Sequence, residues 1–347
     1  MTGFTHFDSS PDANWRAIVL YGVNVASYKF ALAKTLLEFA EAQRTEIAIK
    51  DLAEPYSRHI CEHLKQADRQ CTQPRSRFLD ACRKHNTNEL SRTELNDVTA
   101  QLGFQNVIDA FHVVNSAEVK HRFFEDDRKG GKRIVLTDDL LNLVDGPDAS
   151  NFARETEARW RLVETAWEQG IAASLLDIVP DEKLLRFVIM AGDGRRRVDV
   201  TSSRDALNGY QRGFCFYCLR AISLDMSSPR ATEVDHFYPH SLGQQQKISD
   251  NVNLDGVWNL VLSCQKCNGG KSNHLPRLNY LYRLKRRNDY LIDSHHPLRE
   301  TLIRQTGQTE KERDKFLLEM DNTAVETFGV AASRRWEALE TDSIERF

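Results

Sequence analysis

Apolar positions along the chain recur with two different periods, and the changes of period mark the elements. Residues 27–41 (SYKFALAKTLLEFAE) place Phe30, Ala33, Leu37 and Ala40 three or four apart, the spacing of one buried helix face. A second helix is expected over 55–68, with Ile60 and Leu64 inward. Ser91 and Glu94 form a capping-box pattern ahead of Leu95 and Val98, and Gly103 supplies a stop. The turn-rich DRKGGK at 127–132 separates FF at 123–124 from IVL at 134–136, which predicts a hairpin or a loop between short strands.

Gly146-Pro147-Asp148 then interrupts the chain, and an amphipathic helix is expected through Trp160, Val163 and Ala166. Residues 185–201 alternate as two strands (LRFVIMA, RRVDVT) around Gly192-Asp193-Gly194, a hairpin signature. A short helix over 205–210 delivers the chain to a cysteine-rich stretch, and helical patterns return after Pro276. The expected fold class is α+β. Its segments are a helical N-terminal domain (1–145), a helix-plus-hairpin connector (146–210), a small core (211–276) and a helical C-terminal extension (277–347).

At 347 residues, with 41% apolar and 28% charged side chains, the chain has the usage of an ordinary soluble protein of two or three domains. No apolar run approaches the ~20 residues that span a bilayer. The opening Met-Thr-Gly-Phe-Thr-His-Phe-Asp lacks the basic and apolar regions of a secretory signal, so the expected address is cytoplasmic. A net charge of −3 announces no nucleic-acid binder globally, although binding depends on where the charge sits. Seven cysteines without an export signal argue against a disulfide framework.

Four of those cysteines form two Cys-x-x-Cys pairs, Cys215 with Cys218 and Cys264 with Cys267, separated by 45 residues. Each pair offers two ligands of a tetrahedral zinc, and four thiolates close the shell without an open position for water. Such a zinc is structural and folds a segment too small to be held by burial alone. A redox-active thiol pair is the rival reading, but it needs only one such motif, beside a βαβ pattern.

Between and beside the knuckles stand Asp235-His236, Asn259 and Asn268, within VDHFYP (234–239) and NGGKSN (268–273). In this order and register the segment resembles the HNH (ββα-metal) family of endonucleases. It is similar in particular to those with two zinc knuckles, such as phage endonuclease VII, and to bacterial restriction and defence HNH nucleases. The resemblance covers about 65 residues and implies hydrolysis of phosphodiester bonds in nucleic acid, with DNA the favoured substrate. His236 is then the general base, and the oxygens of Asp235 and Asn268 hold a catalytic Mg²⁺ or Mn²⁺. Asn259 fixes the histidine ring or the adjoining loop. Lys271, one helical turn after Asn268, is a candidate phosphate contact. Adjacent residues in a strand face opposite ways, so Asp235 and His236 are expected where their strand ends or bends.

Residues 277–287 (RLNYLYRLKRR) carry Arg277, Arg283, Lys285, Arg286 and Arg287 with no acid. They are read either as a phosphate-tracking helix or as a solvated face with tyrosines packed inward. Arg195-Arg196-Arg197 is a weaker basic candidate. His240 and His274 flank the core, as do His295 and His296. His59, Cys61, His63, Cys71, Cys82 and His85 match no regular metal-ligand spacing. The contrasting reading of the whole is an inert zinc module that binds nucleic acid or a protein. The N-terminal domain, which carries no catalytic constellation, is expected to bind partners, among them other subunits of a defence system, or to regulate.

Overall fold

The computed structural model describes residues 10–20, 25–73, 75–114, 117–146, 149–168, 178–181, 186–191, 196–211, 213–245, 252–293, 298–329 and 334–338. The Gly192-Asp193-Gly194 turn, Arg195, His295 and His296 lie outside them. The chain forms two compact units, Met1–Ala172 and Ala173–Phe347.

In the first unit α1 (Pro11–Leu20), α2 (Tyr28–Glu41), β1 (Glu46–Ala48), α3 (Ile49–Leu64), α4 (Arg77–Asn86) and α5 (Arg92–Val98) follow in order. After them come α6 (Val107–Ala110), β2 (Val113–Val114), β3 (Ala117–Glu118), β4 (Phe124–Asp127), β5 (Arg133–Leu136), α7 (Asp138–Asp145) and α8 (Ala149–Glu168). The expected apolar face of α2 is buried at Phe30, Ala33, Leu37 and Ala40. The capping box forms at Ser91 and Glu94. A side-chain bond then ties the Gly103 stop to the core, because the Tyr56 hydroxyl donates to the Gly103 carbonyl at 3.1 Å.

The hairpin expected around 127–132 is present, with Phe124 opposite Leu136 and Asp127 opposite Arg133. It gains a third antiparallel strand in the order β1-β5-β4. Helix α3 opens at Ile49 rather than 55 and runs through Pro55. Burial of Leu52, Ala53, Tyr56 and Ile60 along one face outweighs the ~3 kcal/mol that an interior proline costs.

The helix expected to open a connector, α8, belongs instead to this first unit. Trp160, Leu162, Val163 and Ala166 are fully buried, and the Trp160 ring stacks on Phe30 and on His63. His63 Nδ1 lies 2.6 Å from Glu164 and its Nε2 lies 3.2 Å from Glu157. Arg16 donates two bonds to Glu155, at 2.8 and 3.0 Å, with both side chains buried. The unit thus continues past the Gly-Pro-Asp break of the sequence. An apolar stripe as long as that of α8 needs a packed partner, and α1, α2 and α3 supply it.

In the second unit β6 (Ile178–Asp181), β7 (Arg186–Ala191) and β8 (Arg196–Ser202) form an antiparallel sheet. Two of these strands are the expected ones, and β6 is added on one edge. Then come α9 (Ser203–Gln211), β9 (Thr232–His236), β10 (Leu260–Cys264), α10 (Gln265–Lys271), α11 (Leu278–Asp293), α12 (Arg299–Thr306) and α13 (Glu310–Phe328). Among the described residues no helix is long and apolar enough to cross a membrane.

Glu155→Ala should leave the buried Arg16 guanidinium with the part-exposed Asp12, 3.0 Å away, as its carboxylate partner and destabilise the first unit by about 1.5–3 kcal/mol, the range for a lost hydrogen bond to a charged group. Urea unfolding followed by tryptophan fluorescence reads this. An unchanged midpoint would show that the pair is incidental to the fold.

Candidate functional site

The site is built on β9, β10 and α10. The strands pair antiparallel, with His236 opposite Leu260, Asp235 opposite Val261 and Cys264 opposite Thr232, and α10 starts directly after Cys264. A side chain takes the place of a further strand: the Gln211 amide accepts from Leu262 N at 2.6 Å and donates to Leu262 O at 2.8 Å. These bonds satisfy Leu262 N on the open edge of the ribbon and give the Leu262 carbonyl a second donor.

The first knuckle folds back onto this ribbon. Phe216 N donates to Leu262 O at 2.9 Å, and Leu219 adopts a left-handed φ of 60° where the knuckle turns. The Sγ atoms of Cys215, Cys218, Cys264 and Cys267 converge within 4.8 Å of one another. Cys264 N points at Cys215 Sγ, 3.4 Å away. Hydrogen bonds among the four push the Cys215 and Cys267 thiols up and the Cys218 and Cys264 thiols down; four thiolates this close together would need a cation among them. Four soft sulfurs in a small, mostly buried cluster fit a structural Zn²⁺ and leave no ligand position for water.

Alternation along β9 sends Glu233 and Asp235 to α10 and His236 to the loop that joins the strands. Asp235 is buried and accepts the Tyr217 hydroxyl at 2.6 Å and Lys271 Nζ at 3.2 Å. Burial raises its carboxyl above the ordinary range, opposed by Lys271 and Tyr217. Burial likewise pulls the Lys271 ammonium down, opposed by Asp235. Asn268 Nδ2 donates to Glu233 at 2.6 Å. His236 ends its strand, where the chain bends as expected, and its Nε2 lies 3.1 Å from Asp255.

Asn259 is fully buried and clamps the two ends of the loop. Its Oδ1 accepts from Tyr238 N at 2.8 Å, and its Nδ2 donates to the carbonyls of Tyr238 and Leu254 at 3.0 and 2.8 Å. It has no access to a substrate. His240 is exposed, with Nε2 3.2 Å from Asp255, and His274 Nδ1 lies 2.9 Å from the Lys271 carbonyl.

Two expectations are corrected here. Lys271 is fully buried and donates to Asp235, to the His236 carbonyl at 2.7 Å and to the Ser272 carbonyl at 3.4 Å. It braces α10 against the end of β9 and presents no charge to a phosphate. The basic helix α11 is mostly structural too. Arg287 is buried and donates to the carbonyls of Val257, Trp258 and Leu260. Arg283 donates to the carbonyls of Phe216 and Tyr217 at 2.5 and 2.9 Å. Lys285 sits among Asp289, Glu310 and Asp314, and Arg277 pairs with Glu337. Of the five, Arg286 and Arg277 are the exposed ones.

The cysteines and histidines of the first unit have other partners. His59 pairs with Glu38 and His63 with Glu157 and Glu164, while Cys61, Cys71 and His85 meet backbone carbonyls. Sequence reasoning missed Tyr217, Glu233 and Asp255. Glu233 was readable as the strand neighbour two before Asp235, whereas Tyr217 and Asp255 carry no signal of spacing.

Residues 215–277, under a fifth of the chain, match a family model described as HNH endonuclease. The chain matches no curated protein and no solved structure. The matched segment holds all four cysteines, β9, β10 and α10, so the second unit carries an HNH endonuclease domain with a four-cysteine cluster.

Lys271→Ala should strip a buried carboxylate of its cation and destabilise the protein by about 3–5 kcal/mol. Arg287→Ala should leave buried carbonyls unsatisfied, at about 1–3 kcal/mol. Both should leave the slope of log DNA affinity against log salt unchanged. A flattened slope with unaltered stability would restore these cations to phosphate binding.

Proposed function

We propose that the protein is a divalent-metal-dependent endonuclease that hydrolyses phosphodiester bonds in DNA. The observation that carries the reading is the placement of Asp235, His236 and Asn268 on one ββ-α element beside the cysteine cluster, inside the matched segment. The donor chemistry suits a hard cation. Each Asp235 oxygen accepts one hydrogen bond and keeps a second lone pair, and Asn268 donates through Nδ2, which leaves its carbonyl oxygen for a ligand. Oxygens of this kind take Mg²⁺ or Mn²⁺. When bound, the ion supplies positive charge to the phosphate and lowers the pKa of attacking water.

The chain's own residues do the rest. His236 accepts the proton of the water, Asn259 holds the loop on which that histidine depends, and Lys271 and Tyr217 orient the Asp235 carboxylate. The zinc centre keeps β10 and α10 in register and takes no part in the reaction. The first unit is assigned to partner binding or regulation. A place in restriction or anti-phage defence, in company with other subunits, is an analogy with other HNH nucleases.

A second reading has one observation in its favour. Asp235 is closed off by Lys271 and Tyr217, as in a zinc module that binds nucleic acid or protein without cutting it.

Purified protein should contain about one zinc per chain and should convert supercoiled plasmid to nicked or linear forms only with Mg²⁺ or Mn²⁺. His236→Ala should slow cleavage by ~100- to 10,000-fold with DNA binding and zinc content little changed. Asp235→Ala and Asn268→Ala should be partly rescued by raised Mn²⁺, and His236→Ala should not. Binding without any cleavage would favour the inert module, and full activity in all three variants would move the active site elsewhere.

A further inference from the structure

His236 is held by a carboxylate that lies outside the sequence motif. Asp255 stands on the loop between β9 and β10, with its Oδ1 3.1 Å from His236 Nε2 and 3.2 Å from His240 Nε2. The segment around it is braced. Asp255 N donates to Asn253 Oδ1 at 3.0 Å, Trp258 Nε1 donates to the Asn253 carbonyl at 2.8 Å, and Asn259 holds the Leu254 carbonyl. The Asp255 side chain is itself about one third exposed (32%), so its position depends on this bracing more than on burial.

An ionised carboxylate accepts hydrogen bonds only. Beside Asp255, a neutral His236 therefore carries its hydrogen on Nε2, and its lone pair lies on Nδ1. Resting on the nuclease reading above, we propose that Asp255 is a positioning residue for His236, one that fixes the ring and its tautomer so that Nδ1 takes the proton. In the reaction, water gives a proton to Nδ1 and its oxygen bonds phosphorus. The bond from phosphorus to the leaving oxygen breaks, with the electron pair staying on that oxygen, which is protonated from solvent. The imidazolium so formed is stabilised by the same carboxylate, the relation that a buried aspartate has to histidine in hydrolytic triads. His240 is a second donor to Asp255 and helps to hold it.

The test is single-turnover cleavage of supercoiled plasmid by the full chain at saturating Mn²⁺, with plasmid affinity, zinc content and melting temperature measured alongside. Asp255→Ala and the isosteric Asp255→Asn should each lose about 10- to 1,000-fold in rate, with affinity and zinc unchanged. Asp255→Glu should recover part of the loss. In a His236→Ala background, adding Asp255→Ala should cost nothing further, because Asp255 acts only through the ring. An Asp255→Ala variant at the full wild-type rate overturns the proposal, as does an equal loss in both backgrounds. Rescue of Asp255→Ala by more Mn²⁺ also overturns it, since that would make Asp255 a cation ligand. Wild-type protein that cleaves nothing overturns the nuclease reading and this proposal together, whereas cleavage that ignores Asp255 overturns this proposal alone.

Discussion

Four sulfur atoms within 4.8 Å bind together parts of the chain that sequence keeps 45 residues apart. The ribbon of β9 and β10 is two strands joined by a long loop, and two strands alone are at best marginally stable in water. Closing that loop carries an entropy cost that ribbon hydrogen bonds do not recover by themselves. Metal held by structural cysteines contributes on the order of 10–16 kcal/mol in small zinc-dependent peptides, ample to offset it. Once the knuckles are joined, Cys264 fixes where β10 ends and α10 begins, and this in turn aims Asn268 and Lys271 at β9.

Buried cations extend that order outward. Lys271 holds the Asp235 carboxylate and the His236 carbonyl together, and Arg287 gathers three carbonyls from the turn leading into β10. Arg283 does the same for the first knuckle. Backbone carbonyls at such irregular places have no ladder partner, and a guanidinium with five donors satisfies several at once. The C-terminal helices are therefore part of the domain's support, and the domain is not confined to the motif-bearing residues.

The cysteine cluster and the likeness to HNH endonucleases were legible because both depend on residue type at fixed spacing. Two Cys-x-x-Cys pairs and an Asp-His, Asn, Asn order point to one architecture, α2 followed from period, and the strands flanking 127–132 and the two strands of 185–201 followed from period together with turn residues. What stayed hidden depends on direction. Lys271 was correctly placed one turn from Asn268, but helical spacing does not say whether that face turns inward. Arg283 and Arg287 are four apart on the same side of α11 as the buried Tyr280 and Leu284, so a run that reads as basic in composition became packing. The helix α8 looked like a connector because Gly146-Pro147 is a strong break, yet its partners lie a hundred residues earlier in the chain. Asp255 had no signal, since a loop position has no period and the contact it makes is set by the loop's fold.

In the proposed function, hard oxygens from Asp235 and Asn268 hold a divalent cation against the scissile phosphate. The most direct test replaces a single non-bridging phosphate oxygen with sulfur at a mapped cut site and measures single-turnover cleavage of that duplex. Mg²⁺ binds sulfur poorly and Mn²⁺ tolerates it better. At least one phosphorothioate isomer should be cut far more slowly than the oxygen parent in Mg²⁺ and should recover in Mn²⁺. Equal rates for both isomers in Mg²⁺, or cleavage that persists in a chelator, would contradict it.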